Sequence, residues 1–504
     1  MAKAAPRPGL VIAALASAGI SSAFTQTMVT PLVALLPGIF DTTAENTAWI
    51  FTATLLAAAI AVPISGRLGD LFGKRRMIFI LAIPLIIGAI MCALAPNVQV
   101  MIAGRAMQGL GSGMVPLGIA ILRDVVPKER LASGIATVSA TLGAGAAIGL
   151  PIAAAVIEFS SWRILFWAAA VVTGLIVLTI WLIVPAVPAG AKGQRFDGVG
   201  AAGLAVGLVA LILGVSKGSV WGWGSPLTLS LLIAAAVVFV LWGVWETRTT
   251  DPLIDLRTTV KPRVLLTNVA SVFVGFGMYA SSLVFPQVLQ LSSGTGYGLG
   301  QSILAAGLWM APAGLMMLVL SPVGGRMSNT RGPKFTFFVG VVILAAGYGV
   351  ALLAMSHAWG ILLAGLVVNS GVAFAYGAMP AIIMSAVPRS ETGAANGFNT
   401  LMRSLGTTIG SSIVGIVLAQ MTIQYRGATV PSEAGFHTVL IIGAGVALIA
   451  AVIVAFIPAA KADVERVAAP VIPGSNDSND SNGSNDKGSP EDASGEPVLA
   501  QASR

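Results

Sequence analysis

Two segments of this 504-residue chain share one pattern. Residues 63–76 read PISGRLGDLFGKRR, and residues 322–334 read PVGGRMSNTRGPK. Their Pro, Gly, Arg, Asp or Asn, Gly and closing basic residues align without a gap, and each segment follows a long apolar stretch. A second matching pair, VPK at 126–128 and VPR at 387–389, occurs further along. The two members of each pair are separated by the same number of apolar stretches, which indicates an internal duplication.

The composition predicts an all-α, polytopic membrane protein. Hydrophobic residues make up 56% of the chain and charged residues only 10%, against about 25% charged in soluble domains. The apolar runs are continuous, whereas a barrel needs alternating strands of about ten residues. With about 20 apolar residues for each helical span, we predict fourteen spans. They lie at 9–36, 47–66, 77–95, 98–122, 134–157, 162–184, 197–216, 226–246, 264–291, 301–321, 334–355, 358–386, 393–419 and 437–457.

The basic residues predict the orientation of these spans. With the N-terminus in the cytoplasm, almost all of the 28 Lys and Arg residues fall in cytoplasmic loops or tails. The exceptions are Arg163, Lys217 and Arg426 on the outer side, and Arg105 and Arg403 inside helices. Cytoplasmic loops of membrane proteins are enriched in Lys and Arg. The pattern therefore predicts a multi-pass plasma-membrane protein with both termini in the cytoplasm.

The duplicated segments lie eight spans apart, which predicts two six-helix halves with two helices inserted between them. We predict a cytoplasmic N-terminus at 1–8, an N-terminal half at 9–184, two inserted helices at 197–246 and a C-terminal half at 264–457. Residues 461–504 are rich in Ser, Asn, Asp and Gly. Such a composition cannot offset its ordering entropy by burial, so we predict a disordered cytoplasmic tail.

Three motifs resemble those of the major facilitator superfamily. Residues 66–76, GRLGDLFGKRR, resemble its hallmark loop, and residues 104–109, GRAMQG, resemble its helix-four motif. WE at 245–246, followed by DPLIDL at 251–256, is similar to the fourteen-helix drug:proton antiporter branch. The resemblance implies the major facilitator fold and multidrug efflux from a bacterial inner membrane. Its implied partners are an amphipathic drug or metabolite, protons and the lipid bilayer.

Three positions depart from the antiporter pattern. The branch has an Asp in helix one, but residues 26–31 read QTMVTP and contain no acid. The helix-five motif has a displaced proline at Pro151 and alanines in place of paired glycines. Asn329 replaces Asp in the second hallmark segment. The first two departures concern proton coupling and leave the fold unaffected.

The resemblance implies that the hallmark segment holds one state of the transport cycle. Asp70 near the start of helix three is also well placed to act as a simple N-cap for that helix. Both roles are compatible. The gating residues implied by the two matching segments are Gly66, Arg67, Asp70, Gly73, Lys74, Gly325 and Arg326.

Candidates for proton coupling are the ionisable residues nearest the membrane interior. A cation at the centre of a span costs about 2.5–3.5 kcal/mol, so Arg105 is expected to face a cavity or a partner, either for coupling or as a structural bond to carbonyls. Gln108 lies one turn on and shares that face. Glu158, at the outer end of helix five, is the candidate proton carrier, or else a solvated acid beside Arg163. For Arg403 we favour a structural role in which it extends to the cytoplasmic interface.

Polar and aromatic residues on several helices are candidates for an amphipathic substrate cavity. The same residue types also occupy helix cores and lipid interfaces, so each position is open to either role. The candidates are Gln26, Trp49, Tyr279, Gln287, Gln290, Trp309, Asn369 and Tyr376.

Other functional classes lack their motifs. GDLFGK at 69–74 is one residue too short for a phosphate-binding loop and lacks its hydroxyl. His357 and His437 are the only histidines and are too far apart in sequence to suggest a haem, and no Gly-x-Ser-x-Gly elbow of a hydrolase is present. We therefore expect no enzyme activity, cofactor, metal site or nucleic-acid binding. Uptake, facilitated diffusion and lipid or precursor flipping remain alternatives within the same fold.

Overall fold

The computed structural model describes residues 8–32, 35–191 and 193–458. The predicted tail at 461–504 and residues 1–7 lie outside the described residues. The described chain is a bundle of long helices. These are α1 Pro8–Thr27, α2 Ala44–Phe72, α3 Lys74–Leu94, α4 Val98–Leu110 with Met114–Val125, α5 Lys128–Phe159, α6 Arg163–Ile183, α7 Gly198–Trp221, α8 Pro226–Arg248, α9 Pro262–Gln290, α10 Ile303–Arg331, α11 Pro333–Ala354, α12 Ala358–Ala386, α13 Thr392–Gln420 and α14 Glu433–Ala455.

The fourth helix is interrupted by a 3-10 turn over Gly111–Gly113. Each of its two pieces alone is too short to cross a membrane, although together they match one predicted span. Thirteen candidate spans elsewhere in the described chain are long and apolar enough to cross on their own. The structure therefore confirms the prediction of fourteen spans in an all-α bundle.

The pattern of helix packing repeats between the two halves. In the first half, α1 packs on α5 and α6, α2 on α4, and α3 on α4 and α6. In the second half, α9 packs on α13 and α14, α10 on α12, and α11 on α12 and α14. Each apolar cluster draws most of its residues from one half, although Ala140 of the first half joins the cluster of the second and Met384 of the second half joins a cluster of the first. Contacts of α5 with α10 and of α2 with α13 join them. The residue boundaries predicted for these units stay a prediction.

The duplicated segments are helical over most of their length, so the prediction that they are loops is wrong. α2 continues to Phe72 and α10 to Arg331. Pro63 and Pro322 lie within these helices. Proline removes one backbone donor, and helices in membrane proteins tolerate it when neighbouring groups satisfy the freed carbonyl.

The chain turns at one glycine in each duplicated segment. Gly73 has a φ of 101° and Gly332 a φ of 88°, a region that side chains with a Cβ disfavour. The two glycines occupy equivalent positions in the duplication. We call the end of the molecule that carries them the basic end, because the cluster Lys74–Arg76 lies there too.

The two inserted helices flank the contact between the halves. α7 and α8 pack on each other, and α7 also contacts α2 and α13. Asp197 begins α7 by accepting the backbone N–H of Gly200 at 2.8 Å. Much of the surface of α8 is apolar and exposed, with Ile233, Val240 and Leu241 among its residues. This surface suits contact with lipid.

A small hairpin, which was not predicted, lies at the end opposite the basic end. Its strands are β1 Thr422–Tyr425 and β2 Ala428–Pro431, paired antiparallel. Arg426 and Gly427 both have positive φ, as a tight two-residue turn requires. The Tyr297 hydroxyl donates a hydrogen bond to the Pro431 carbonyl. The hairpin therefore contacts the loop between α9 and α10.

Candidate functional site

The Asp70 carboxylate joins the two halves. Its oxygens accept hydrogen bonds from the backbone N–H groups of Gly393 at 3.0 Å and Ala394 at 2.9 Å. Asp70 is completely buried. The first N–H groups of a helix have no partner within the helix and favour negative charge. Asp70 therefore caps α13 in the other half, and the prediction that it caps helix three is wrong.

Lys74 balances the buried charge of Asp70. Its Nζ lies 2.6 Å from Asp124 Oδ2 and 3.7 Å from Asp70 Oδ1. The Gly73 turn places Lys74 at the start of α3, one turn of chain from Asp70. Buried charges are tolerated when they are paired and hydrogen-bonded. Asp124, at the end of α4, completes this small network.

Arg123 makes a second connection from α4 to the same region. Its Nη1 lies 2.6 Å from Thr392 Oγ1, and its Nη2 lies 3.1 Å from the Val387 carbonyl oxygen. We call Asp70, Lys74, Arg123 and Asp124, with the Thr392–Ala394 turn, the latch. Sequence reasoning did not assign Arg123 and Asp124 to this site. Their position before the duplicated VPK segment was the only signal.

Gly66 permits the close approach that the latch needs. A Cβ at Gly66 would collide with the Gly393 carbonyl oxygen, and a Cβ at Gly393 would collide with the Gly66 carbonyl oxygen. Helix backbones can meet this closely only through small residues.

Gly66→Ala is therefore expected to lower transport at least about fivefold, since overpacking typically costs about 1–3 kcal/mol. The clash affects the contact between halves and not the packing within either half, so we expect normal membrane levels. Gly174→Ala in α6 is the matched control, because no atom lies within 4 Å of a Cβ built there. Equal transport activity in the two variants would contradict this account of Gly66.

The duplicated segment of the second half makes an equivalent contact between the halves, but through the uncharged side chain of Asn329. Asn329 Nδ2 donates to the Glu129 carbonyl oxygen at 3.0 Å, in the first turn of α5. A Cβ built at Gly325 would lie 2.6 Å from the Ser133 Cα, so α10 and α5 also approach closely there. Arg326 is exposed. The halves are thus in contact on both sides of the basic end.

Arg67 lies beside the latch and faces a different environment. Its side chain is buried, and its Nε has no hydrogen-bond partner. It lines a cavity of about 100 Å³ together with residues 250–255, Asn268 and Glu391. The segment between α8 and α9 forms one wall of that cavity.

Arg105 is buried in the first half, with a partner as predicted. Its Nη1 donates to the Thr25 carbonyl oxygen at 2.9 Å and to Gln108 Oε1 at 2.7 Å. Only 2% of its surface is exposed. The Nε of Arg105 and the Nε2 of Gln108 make no hydrogen bond. This pair therefore holds a positive charge and unused donors between α4 and α1.

Arg403 is buried and does not extend to the interface, so that prediction is wrong. Its guanidinium lies 4.4 Å from the Tyr376 ring centroid, a cation–π contact. It also donates to Thr400 Oγ1 at 3.2 Å. The contact with the α12 ring keeps the side chain inside the second half. Periodicity alone could not distinguish these two orientations.

The remaining predicted site residues do not form a single cluster in the contacts of the described chain. The Lys217 Nζ lies 4.6 Å from the Trp49 ring centroid in a cation–π contact, and the ring centroids of Trp309 and Trp359 are 4.9 Å apart. Glu158 is exposed at the end of α5. The other cavity candidates differ in burial: Gln26 and Gln290 are exposed, Tyr279, Gln287 and Asn369 are half-buried, and Tyr376 is buried.

Arg163, near which Glu158 was predicted to lie as a solvated acid or else to act as the proton carrier, makes its contacts with other residues. Its Nη2 donates to the Ala95 carbonyl oxygen at 3.0 Å, and its guanidinium stacks on Trp162. Glu158 is therefore a solvent-facing acid in this state, on the side opposite the latch.

Two similar six-helix halves that meet across a central interface are the architecture of secondary transporters. The chain belongs to the Major Facilitator Superfamily, whose family description matches residues 15–411 and, in an overlapping second match, 267–475. Two solved structures support the fold at 15% identity. The human organic anion transporter MFSD10 has a TM-score of 0.64 and covers 89% of this chain and 100% of its own. The proton:xylose symporter XylE has a TM-score of 0.63, with coverages of 90% and 96%.

Curated relatives include proteins named for drug resistance. The chain is 31% identical over 317 residues to the Multidrug resistance protein B homolog of Mycobacterium tuberculosis (strain ATCC 25618 / H37Rv), covering 62% of this chain and 57% of that protein. It is 27% identical over 384 residues to the Tetracenomycin C resistance and export protein of Streptomyces glaucescens, with coverages of 74% and 68%. The chain thus spans less than two thirds of the first of these relatives.

Proposed function

We propose that this protein exports amphipathic, drug-like small molecules in exchange for protons by alternating access. The contact of Asp70 with the start of α13 is the observation that carries the proposal. Because Asp70 lies in one half and α13 in the other, this contact exists only while the halves meet at the basic end. A contact made in one state and absent from the other biases the equilibrium between them. The latch is therefore the gate of the basic end.

The charge pattern and the relatives support the direction of transport. The Lys and Arg clusters support a cytoplasmic location for the basic end and for both termini in a bacterial cell. The names of two curated relatives refer to multidrug resistance and to antibiotic export. We extend export of such solutes to this chain. The scattered polar and aromatic candidates, among them Tyr279, Trp309 and Asn369, would come together in the cavity that opens when the halves rock.

Buried cations support coupling to protons. Arg105 and Arg403 are buried cations within helices of the described chain, and charged residues inside membrane helices usually line ion or substrate pathways. A proton that crosses about 100 mV releases about 2.3 kcal/mol. A hundredfold solute gradient costs about 2.7 kcal/mol. One proton per solute nearly matches this cost and two protons exceed it, so two would drive export against such a gradient.

Ethidium efflux from bacterial cells tests the proposal. Cells that express this chain are expected to lose preloaded ethidium faster than cells with an empty vector, and a protonophore should abolish the difference. Efflux that the protonophore does not affect would overturn the coupling and indicate a facilitator. Absence of efflux at normal membrane levels would overturn the drug-like substrate class and favour a narrower solute.

A further inference from the structure

The two inserted helices bring together a pair of buried carboxylates that the latch does not use. Glu246, near the end of α8, is 2% exposed, and Asp197, which begins α7, is 8% exposed. A Cβ added at Gly200 would collide with Asp197 Oδ2 and with Glu246 Oε1 at once. The two oxygens therefore face the same point on the first turn of α7.

The hydrogen bonds of the pair are unequal. Asp197 accepts the Gly200 N–H at 2.8 Å through Oδ1 and the Trp245 indole N–H at 2.9 Å through Oδ2. Glu246 Oε2 accepts the Ile254 N–H at 3.3 Å. Glu246 Oε1 is buried and accepts no hydrogen bond, and the nearby indole N–H of Trp242, one turn earlier on α8, also has no partner. Glu246 Oε1 is the oxygen that faces Asp197.

No basic side chain in the described chain compensates this pair. Asp197 is the charged group that acts on Glu246. Among the charged residues nearest in sequence, Arg195, Arg248 and Arg257 are exposed, and Asp251 and Asp255 are half-buried with other partners. Arg257 donates to the Thr247 carbonyl, the backbone N–H of Arg195 donates to Asp251 Oδ2, and Arg248 points to solvent. Asp255 accepts from residues of its own turn.

Two carboxylates in such a site cannot both remain ionised without a large penalty, because burial and mutual repulsion both oppose the second charge. A bound metal would need more ligands, and no group of three or more His, Cys, Asp or Glu occurs in the described chain. A proton satisfies the pair with the groups present. It converts one carboxylate into a donor that the free Oε1 of Glu246 can share with Asp197.

We propose that Asp197 and Glu246 jointly bind one proton and that this proton fastens the segment between α8 and α9 to the bundle. Leu253 and Ile254 of that segment are fully or almost fully buried, in a cluster with Leu204 of α7 and Leu401 of α13. Glu246 holds the segment through the Ile254 N–H. When the proton is lost, the two carboxylates are both charged and repel each other next to this hydrogen bond. The segment between α8 and α9 then moves away from the cavity that it lines together with Arg67.

The proton site extends the proposed coupling but does not depend on it. Binding of the proton is a property of the resting protein, measurable without a substrate. Its link to transport rests on the proposed function.

Infrared spectroscopy of the purified full chain in lipid nanodiscs tests the site at neutral pH. The wild-type protein is expected to show a protonated-carboxyl band that disappears in Glu246→Gln and is lost or shifted in Asp197→Asn. Glu129→Gln is the matched control, since it removes an exposed acid at the same end. The control should retain the band. A spectrum that is the same in wild type and both pair variants would overturn the proposal.

Thermal unfolding provides a second readout. Under this proposal the folded pair keeps its proton above about pH 4, where free carboxyls release theirs. This stabilisation is therefore complete at acidic pH and is lost as the pH rises through the folded-state titration. Wild-type Tm should fall by at least about 2 °C more than that of Glu246→Gln between about pH 6 and about pH 9. Parallel pH profiles would overturn the proposal. Efflux insensitive to a protonophore would instead overturn only the coupling.

Discussion

Asp70→Asn is expected to lower ethidium efflux at least about tenfold without lowering the amount of protein in the membrane. Asparagine preserves the shape of the side chain, but its single oxygen loses the charge and cannot accept from Gly393 and Ala394 as two oxygens do. Hydrogen bonds to charged groups contribute about 1.5–3 kcal/mol each, and 1.4 kcal/mol is a factor of about ten. The closed basic end should therefore become less populated by at least that factor.

Glu129→Gln is the control for this prediction, because it removes one exposed negative charge from the same end. The interaction of Glu129 with Asn329 uses the backbone carbonyl and survives the substitution. Efflux by the control should stay within about twofold of wild type, in keeping with the small contribution of exposed charges. Wild-type efflux by Asp70→Asn would show that the latch has no part in transport.

Arg105→Met is expected to reduce efflux at least about tenfold while Tm changes little. Methionine retains much of the apolar stem and removes a buried cation that pairs with none of the described carboxylates. Charge burial in a membrane costs about 2.5–3.5 kcal/mol on insertion scales, which offsets much of the about 1.5–3 kcal/mol that each of the two lost hydrogen bonds contributes. A buried cation that adds little net stability is expected to be retained for function.

Arg163→Met is the matched control for Arg105. Arg163 also donates to a backbone carbonyl, that of Ala95, but it is exposed at the end of its helix. We expect this variant to transport normally. A lower Tm in Arg105→Met, with efflux reduced only in proportion to the folded protein, would assign Arg105 a structural role.

The sequence predicted the fold because the strongest constraints on a membrane bundle are local. Apolar length determines the spans, whereas the orientation that the loop charges indicate stays a prediction. The duplication appears in the backbone itself, since Gly73 and Gly332 occupy equivalent positions and share positive φ. The two pieces of α4 form one continuous apolar stretch in the sequence, so the 3-10 turn at Gly111–Gly113 did not change the predicted number of spans.

The site was less predictable because its contacts join distant parts of the chain. Asp70 is followed closely by helix three, and a local cap was the simplest expectation. Its partners lie 323 and 324 residues further on. Arg403 was assigned to the interface for the same reason, because the Tyr376 ring that holds it is on another helix. The carboxylate pair at Asp197 and Glu246 likewise depends on how α7 meets α8.

The distance between the halves at the basic end tests the central claim, namely that Asp70 holds this end closed. Spin labels at Arg76→Cys and Arg331→Cys, both exposed positions in opposite halves, would report that distance, with Cys92→Ser removing the native thiol. We predict a dominant short distance in this background and a shift of most of the population to a longer distance when Asp70→Asn is added. An identical distance distribution with and without Asp70→Asn would contradict the account.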